Sequence, residues 1–331
     1  MAAGLWRCAV LVVLLWAGCS GPAGPAVPAG APGSASAEPG KKSRGVIGLS
    51  VLTLINPFFK EIADTMMAEA AKYGYEVLVV SGENDVARQQ NQVKDFLVKR
   101  VAAIVLTPCD SKAIGPAIKE ANAAGIPVFT ADIACLAPGA KVICHVATDN
   151  YGGGREAAKA IVEAIGGKGK VAIIDYPEVE SVILRTRGFE HQMAEENKKP
   201  GVRVELVARL SGGGSKEQGY KAAQDLIQAH PDLAGIFAIN DPSALGARAA
   251  LENAGKADAV RIVGFDGQPE GKQAIKQGKI YADPIQFPDQ IGRKTVEAIV
   301  RYFDGERVES PILIPTRLYR KADAEADPTL Q

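Results

Sequence analysis

The sequence predicts an α/β protein made of two successive doubly wound units. Three observations predict it. From Gly45 onward, short apolar runs alternate with stretches of helical period. The runs are near-continuous rather than alternating, as in parallel strands buried on both faces. The alternation then restarts after Thr148-Asp149-Asn150, giving a second unit of similar size.

The first unit opens on Val46, Ile47, Leu49, Val51 and Leu52, a buried strand. Asn56 follows at a helix N-cap position with Pro57 at the first helical position. Phe59, Ile62, Ala63, Met66, Met67 and Ala70 form the helix's apolar stripe, and Phe58 falls off it, at the mouth between strand and helix. Strands are expected over 76–80, 102–106, 128–130 and 142–146, with helices over 86–99 and 112–124. In the second unit helices are expected over 153–165, 182–195, 219–229, 243–254 and 270–276. Its strands fall over 171–174, 204–208, 236–239 and 261–265. A strand over 280–285, a helix over 288–303 and a short strand at 312–314 close the chain, and periodicity does not assign them to either unit.

What precedes the fold reads as export and tether. Arg7 and the apolar run AVLVVLLWA are too short for the ~20 residues of a membrane span and lead to Trp16-Ala17-Gly18-Cys19-Ser20. That pattern resembles a bacterial lipoprotein signal over 1–18, with Cys19 as the lipidated residue; Trp16 stands where the pattern usually has Leu. The Pro/Gly/Ala/Ser stretch within 19–44 reads as a flexible linker. Cys109, Cys135 and Cys144 remain, an odd number; a loop-closing Cys135–Cys144 disulfide and three free thiols are both open.

Composition narrows function mainly by exclusion. Lys+Arg and Asp+Glu both number 38, so charge offers no reason to expect nucleic acid. Gly152-Gly153-Gly154 and Gly212-Gly213-Gly214 lack the context of phosphate loops and read as turn glycines. His145, His191 and His230 are the three histidines; no nucleophile elbow or zinc-protease motif accompanies them, and neither catalysis, a cofactor nor a metal is expected.

The informative residues stand at strand ends. Asn56 follows the first strand, Asp132 the fourth, Asn240 and Asp266 two strands of the second unit, and Gln286 the strand at 280–285. Asp241 is expected to cap the helix after Asn240, leaving Asn240 free for a ligand. Carboxylates, amides, one arginine and flat rings suit a neutral polyhydroxylated ligand.

NPFF, the strand-end Asp132, RTRGF, FAINDPSALGA, VGFDG and QFPDQIG, in this order, resemble the pentose and hexose solute-binding proteins of ABC importers, above all the ribose binders. The resemblance runs from about residue 45 to 318. It implies two Rossmann-like lobes with a three-segment hinge (the type I periplasmic binding protein fold), crossing near 148–150, 283–286 and 315–318. The N-terminal lobe would be 45–148 plus 287–315, and the C-terminal lobe 149–286 plus 316–331. Asn56, Phe58, Phe59 and Asp132 would contact sugar from the first lobe, and Arg185, Asn240, Asp266 and Gln286 from the second lobe and hinge. Two positions depart: Ile133 replaces the ribose binders' arginine, and Gly214 a stacking ring. The loop at 176–181 also replaces a Gly-rich one, so Ile133 and Tyr176 become secondary contact candidates. The implied protein is an envelope-anchored monomer that binds a monosaccharide, passes it to a permease and touches membrane through lipid alone. A receptor signalling to a chemotaxis or sensor-kinase partner is the alternative.

Overall fold

The computed structural model describes residues 43–330, which lie in one compact unit, Lys42–Gln331. The signal segment, Cys19 and nearly all of the linker lie outside the described residues.

The chain runs β1 (Gly45–Val51), α1 (Pro57–Lys72), β2 (Tyr75–Ser81), α2 (Val86–Lys99), β3 (Ala103–Leu106), α3 (Gly115–Ala123), β4 (Val128–Ala131) and β5 (Cys144–Thr148). It continues with α4 (Asn150–Ala164), β6 (Lys168–Asp175), α5 (Glu180–Glu196), β7 (Arg203–Ser211), α6 (Lys216–Ala229) and β8 (Leu233–Ala238). Next come α7 (Asp241–Asn253), β9 (Arg261–Val263), α8 (Pro269–Lys276) and β10 (Ala282–Ile285). The tail is α9 (Pro288–Phe303), β11 (Ile312–Ile314), β12 (Arg317–Arg320) and α10 (Lys321–Ala326).

Two six-stranded sheets result, ordered β11-β5-β4-β3-β1-β2 and β12-β10-β9-β8-β6-β7. Every pairing is parallel except β10 with β12. This is the doubly wound α/β class the sequence predicts. The first sheet buries Ile47, Leu49 and Val146 against α1 and α9 on one face, and Ile104 and Leu106 against Phe96 and Ile118 on the other. In the second, Phe189 stacks on Phe237 at 4.6 Å, while Ile174, Ile236 and Leu251 fill the opposite side.

The chain passes between the sheets three times: from β5 into α4, which packs on α5; from β10 into α9, which packs on α1; and from β11 into β12. Each sheet reverses its strand order beside its first strand, β1 or β6. Carboxyl ends at such switch points are where open α/β sheets hold ligands.

Several local expectations are corrected. Gly152, Gly153 and Gly154 are not turn residues but lie in the first turns of α4. Met67 is exposed, and Glu69 is the buried neighbour on α1. The strand β12 was not legible in the sequence at all. Cys109, Cys135 and Cys144 are free thiols, so the Cys135–Cys144 disulfide does not form; Cys144 Sγ instead donates to the Glu309 carbonyl at 3.2 Å.

Candidate ligand-binding cleft

A cavity of about 500 Å³ lies between the carboxyl ends of the two sheets. Asn56, Phe58, Phe59, Asp132, Arg185, Asn240, Asp266 and Gln286 all line it, as do Ile133 and Tyr176. They arrive from the loops after β1, β4, β6, β8, β9 and β10, from the first turn of α1 for Phe58 and Phe59, and from α5 for Arg185.

Local sequence explains the first-sheet wall. Asn56 caps α1 by accepting from the Phe58 N–H at 2.9 Å, and it lines the cavity as well. The rings of Phe58 and Phe59 meet edge to face, with centroids 5.2 Å apart. Asp132 follows β4 at φ +64°, a left-handed conformation that non-glycine residues rarely adopt. That turn aims a carboxylate that is only 3% exposed. Its Oδ1 has no hydrogen-bond partner. Burial above all pushes the Asp132 carboxyl up to about 7, against the pull of Arg185.

On the other wall, Arg185 and Asp266 form a buried pair at 3.2 Å. Arg185 Nε donates to Asn150 Oδ1 at 2.8 Å and Nη1 to the Ile239 carbonyl at 2.7 Å. The guanidinium lies 3.9 Å from the Phe265 ring centre, a cation–π contact in a dry site. Asp266, at φ +101°, is the second strained carboxylate of the cleft. Its Oδ1 also accepts from Gln286 Nε2 at 2.6 Å, and its Oδ2 from Gln268 Nε2 at 3.1 Å. Burial pushes Asp266 up while Arg185 pulls it down. Gln286 Oε1 is a second buried acceptor with no partner.

One role is corrected. Asn240, not Asp241, caps α7: its Oδ1 accepts from the Ser243 N–H at 3.0 Å. Asp241 is the first helical residue, with a side chain that turns inward to accept from the Gln268 N–H at 2.6 Å. Asn240 still borders the cavity, and its Nδ2 donates to the Gly214 carbonyl at 3.0 Å.

Sequence reasoning missed Gln268, Asn150 and Phe265. Gln268 reads as the lead-in to a proline-started helix, and nothing in its spacing marks it as facing Asp266. Phe265 carried a signal, since an aromatic at a strand end next to a strained aspartate has a face to offer. Tyr176 fills the space beside Gly214: a Cβ there would stand 3.3 Å from its ring. Glu178 is exposed and borders a separate groove between the sheets.

The histidines stand apart. His145 is in β5 with Nδ1 bonded to Thr130 Oγ1 at 2.9 Å, and burial lowers its pKa to about 4. His191 bonds Tyr151, and His230 ends α6. No cluster of metal-ligating residues occurs among the described residues.

A model of the periplasmic binding protein domain matches residues 47–307. The chain belongs to the periplasmic binding protein family. Members are binding proteins, and relatives of this periplasmic binding protein are sugar-binding components of ABC importers. The ribose import binding protein RbsB of Salmonella typhimurium is 36% identical over 289 residues, 87% of this chain and 95% of that one. A D-apiose import binding protein of Paraburkholderia graminis is 32% identical, covering 81% and 85%. The structure of an ABC transporter solute-binding protein from Actinobacillus succinogenes with bound D-allose aligns with a TM-score of 0.78 at 30% identity, covering 86% of this chain and 100% of that one. Among the described residues no helix is long and apolar enough to cross a membrane.

Proposed function

We propose that this protein binds one monosaccharide in the cleft and presents it to the membrane permease of an ABC importer. One observation carries the reading: Asp132 Oδ1 and Gln286 Oε1 are buried acceptors without partners at the edge of the same cavity. Leaving such an atom unpaired costs about 1–3 kcal/mol, so a ligand rich in hydroxyl donors is favoured there. Phe58 and Phe59 offer faces for ring C–H edges, while Asn56 and Arg185 offer N–H donors. The lobes would be 45–148 with 287–315 and 149–286 with 316–331. A ligand that touches both binds the closed form better and shifts the population toward it.

Ribose is not the expected best ligand. Ile133 is buried in the cleft wall and has no donor to give. A hydroxyl facing it loses water without gaining a partner, whereas an apolar edge gains about 25 cal/mol per Å² buried. A hexose, deoxysugar or polyol should therefore bind more tightly. Calorimetry on residues 42–331 against pentoses, hexoses, deoxysugars and polyols tests both statements. Ribose ahead of every other ligand would overturn the ranking, and no binding by any of them would overturn the sugar reading.

The same titrations carry a pH signature. Hydroxyls donated to Asp132 favour its ionised form, so its carboxyl falls from about 7 on binding. Protons are released, and affinity should rise with pH and level off above about 7. In the free protein the sign is opposite. The raised Asp132 pKa contributes stability below the unfolded value of about 3.9, and that contribution is lost as pH rises toward 7.

Export with a lipid on Cys19 completes the proposal, supported by the Trp16–Ser20 pattern. Cys19→Ser should lose palmitate labelling and accumulate as unprocessed precursor. A labelled, membrane-associated Cys19→Ser protein would refute the anchor.

A further inference from the structure

We propose that Asn150 is a positioning residue that spans the first crossing between the sheets and ties the aim of Arg185 to the angle at that crossing. The inference rests on the cleft being the ligand site and on its closure.

Arg185 lines the cleft and is held by three hydrogen bonds. Its Nη1 donates to the Ile239 carbonyl at 2.7 Å and to Asp266 Oδ1 at 3.2 Å, and its Nε donates to Asn150 Oδ1 at 2.8 Å. Among the described residues no group accepts from Nη2, which leaves that nitrogen for a ligand. Ile239 and Asp266 follow β8 and β9, so two of the bonds come from the second sheet's own strand ends. The third comes from the crossing. Asn150 is the first residue of α4 and is only 1% exposed. Its Nδ2 donates at 3.1 Å to the carbonyl of Thr148, the last residue of β5. One planar amide thus bonds the end of the first sheet with its NH₂ and the cleft arginine with its oxygen, and neither end can turn without the other.

Asp149 stands between them, where a bend would fall. Its φ of −67° and ψ of 77° belong to neither strand nor helix. Its N–H is tied to the first sheet, donating to the Ile314 carbonyl at 2.8 Å, while its Oδ1 caps α4 by accepting from the Gly152 N–H at 2.8 Å. Hinges are a few residues at element ends that absorb such changes in φ and ψ. The helix α4 cannot follow β5 through the bend, because Gly153 and Gly154 seat it against Phe265 and the Arg185 backbone. Rotation at Asp149 therefore draws the Thr148 carbonyl away from Asn150 Nδ2, and the amide that steadies Arg185 loses its other support. The arrangement seen here is a compact one, in which Ser111 Oγ, from the loop after β3, accepts from the Glu180 N–H at the start of α5 at 2.9 Å.

Proton–nitrogen correlation spectra of the purified protein without sugar read the Arg185 Nε–H, assigned by its loss in Arg185→Lys. In Asn150→Ala, exchange of that proton with water should quicken by about tenfold or more, while the Phe189 amide in the core of α5 stays within about twofold of the parent. Asn150→Asp separates the two bonds. It keeps an acceptor for Nε and should protect that proton as the parent does, but it has no N–H for the Thr148 carbonyl. Its free form should shift toward opening, seen as a radius of gyration above the parent's in X-ray scattering. D-ribose and D-allose serve as probes, and each one that binds the parent should bind Asn150→Asp about tenfold more weakly. Unchanged Nε–H exchange in Asn150→Ala overturns the proposal, as does equal quickening at Phe189, which marks general loosening. A parental radius of gyration in free Asn150→Asp, or binding of such a probe within about twofold of the parent, also overturns it. A bound probe that leaves the parent's radius of gyration unchanged removes closure itself, and the proposal falls with it. Failure of both sugars to bind the parent counts against those two ligands, and the exchange and scattering of the free proteins still decide the role of Asn150.

Discussion

Asp266→Ala should weaken ligand binding by roughly a hundredfold or more, the largest loss expected from any single cleft substitution. Asp266 is the acceptor on which three donors converge: Arg185, Gln286 and Gln268. Truncation leaves the Arg185 guanidinium 4% exposed and without its counter-ion. Breaking a buried pair from one side typically costs about 3–5 kcal/mol. It also frees the Gln286 and Gln268 amides to rotate, so Gln286 Oε1 loses its aim into the cavity. Asp266→Asn separates charge from shape, since it keeps one acceptor oxygen for Arg185 and should lose less than the alanine variant. Calorimetry with the tightest sugar of the panel, together with thermal melts of the free proteins, reads both effects. Normal affinity in Asp266→Ala would remove Asp266 from the site.

Much of the site was legible because strand ends and helix starts leave chemical marks. A continuous apolar run followed by Asn-Pro told where β1 stops and α1 begins, and the structure places Asn56 at that cap. Asp132, Asp266 and Gln286 stood at strand ends, and the fold brings those ends to one cavity. What failed to show was set by contacts between distant segments. Asn240 and Asp241 could each cap α7 by sequence; the choice falls to Asn240 because the Gln268 N–H draws the Asp241 carboxylate inward. Met67 fits the stripe of α1 by spacing, yet it is exposed, since spacing along one helix does not say how far the neighbouring elements cover it. The strand β12 has four residues, and its antiparallel pairing with β10 depends on a partner about 35 positions away. Ser111 Oγ accepts from the Glu180 N–H at the start of α5 at 2.9 Å, a contact with no sequence mark, since a serine after Asp110 reads as an ordinary loop residue.

The glycines of α4 give a second large effect, here on stability. By helix propensity alone, Gly154→Ala should stabilise α4 by up to about 1 kcal/mol. The tertiary contact says the opposite. A Cβ at Gly154 would stand 2.0 Å from the Arg185 carbonyl oxygen and 2.8 Å from its carbon. These are backbone atoms of α5, which cannot swing aside as a side chain would. Across the same contact, a Cβ at Gly188 would stand 2.1 Å from the Tyr151 carbonyl oxygen. The two helices thus approach through glycines on both sides, and a methyl group on either forces them apart. Overpacking of this kind costs roughly 1–3 kcal/mol, occasionally more, and here no side-chain rearrangement relieves it. A net loss of about 2–3 kcal/mol corresponds to a Tm lowered by roughly 5–10 °C. The displacement also reaches the cleft, because α5 carries Arg185 and α4 carries Asn150, whose Oδ1 accepts from Arg185 Nε at 2.8 Å. Gly154→Ala should therefore weaken sugar binding as well as melt early, whereas a purely structural lesion far from the cleft would leave affinity intact. A Gly154→Ala protein that melts at or above the parent temperature would show that helix propensity outweighs the contact between α4 and α5.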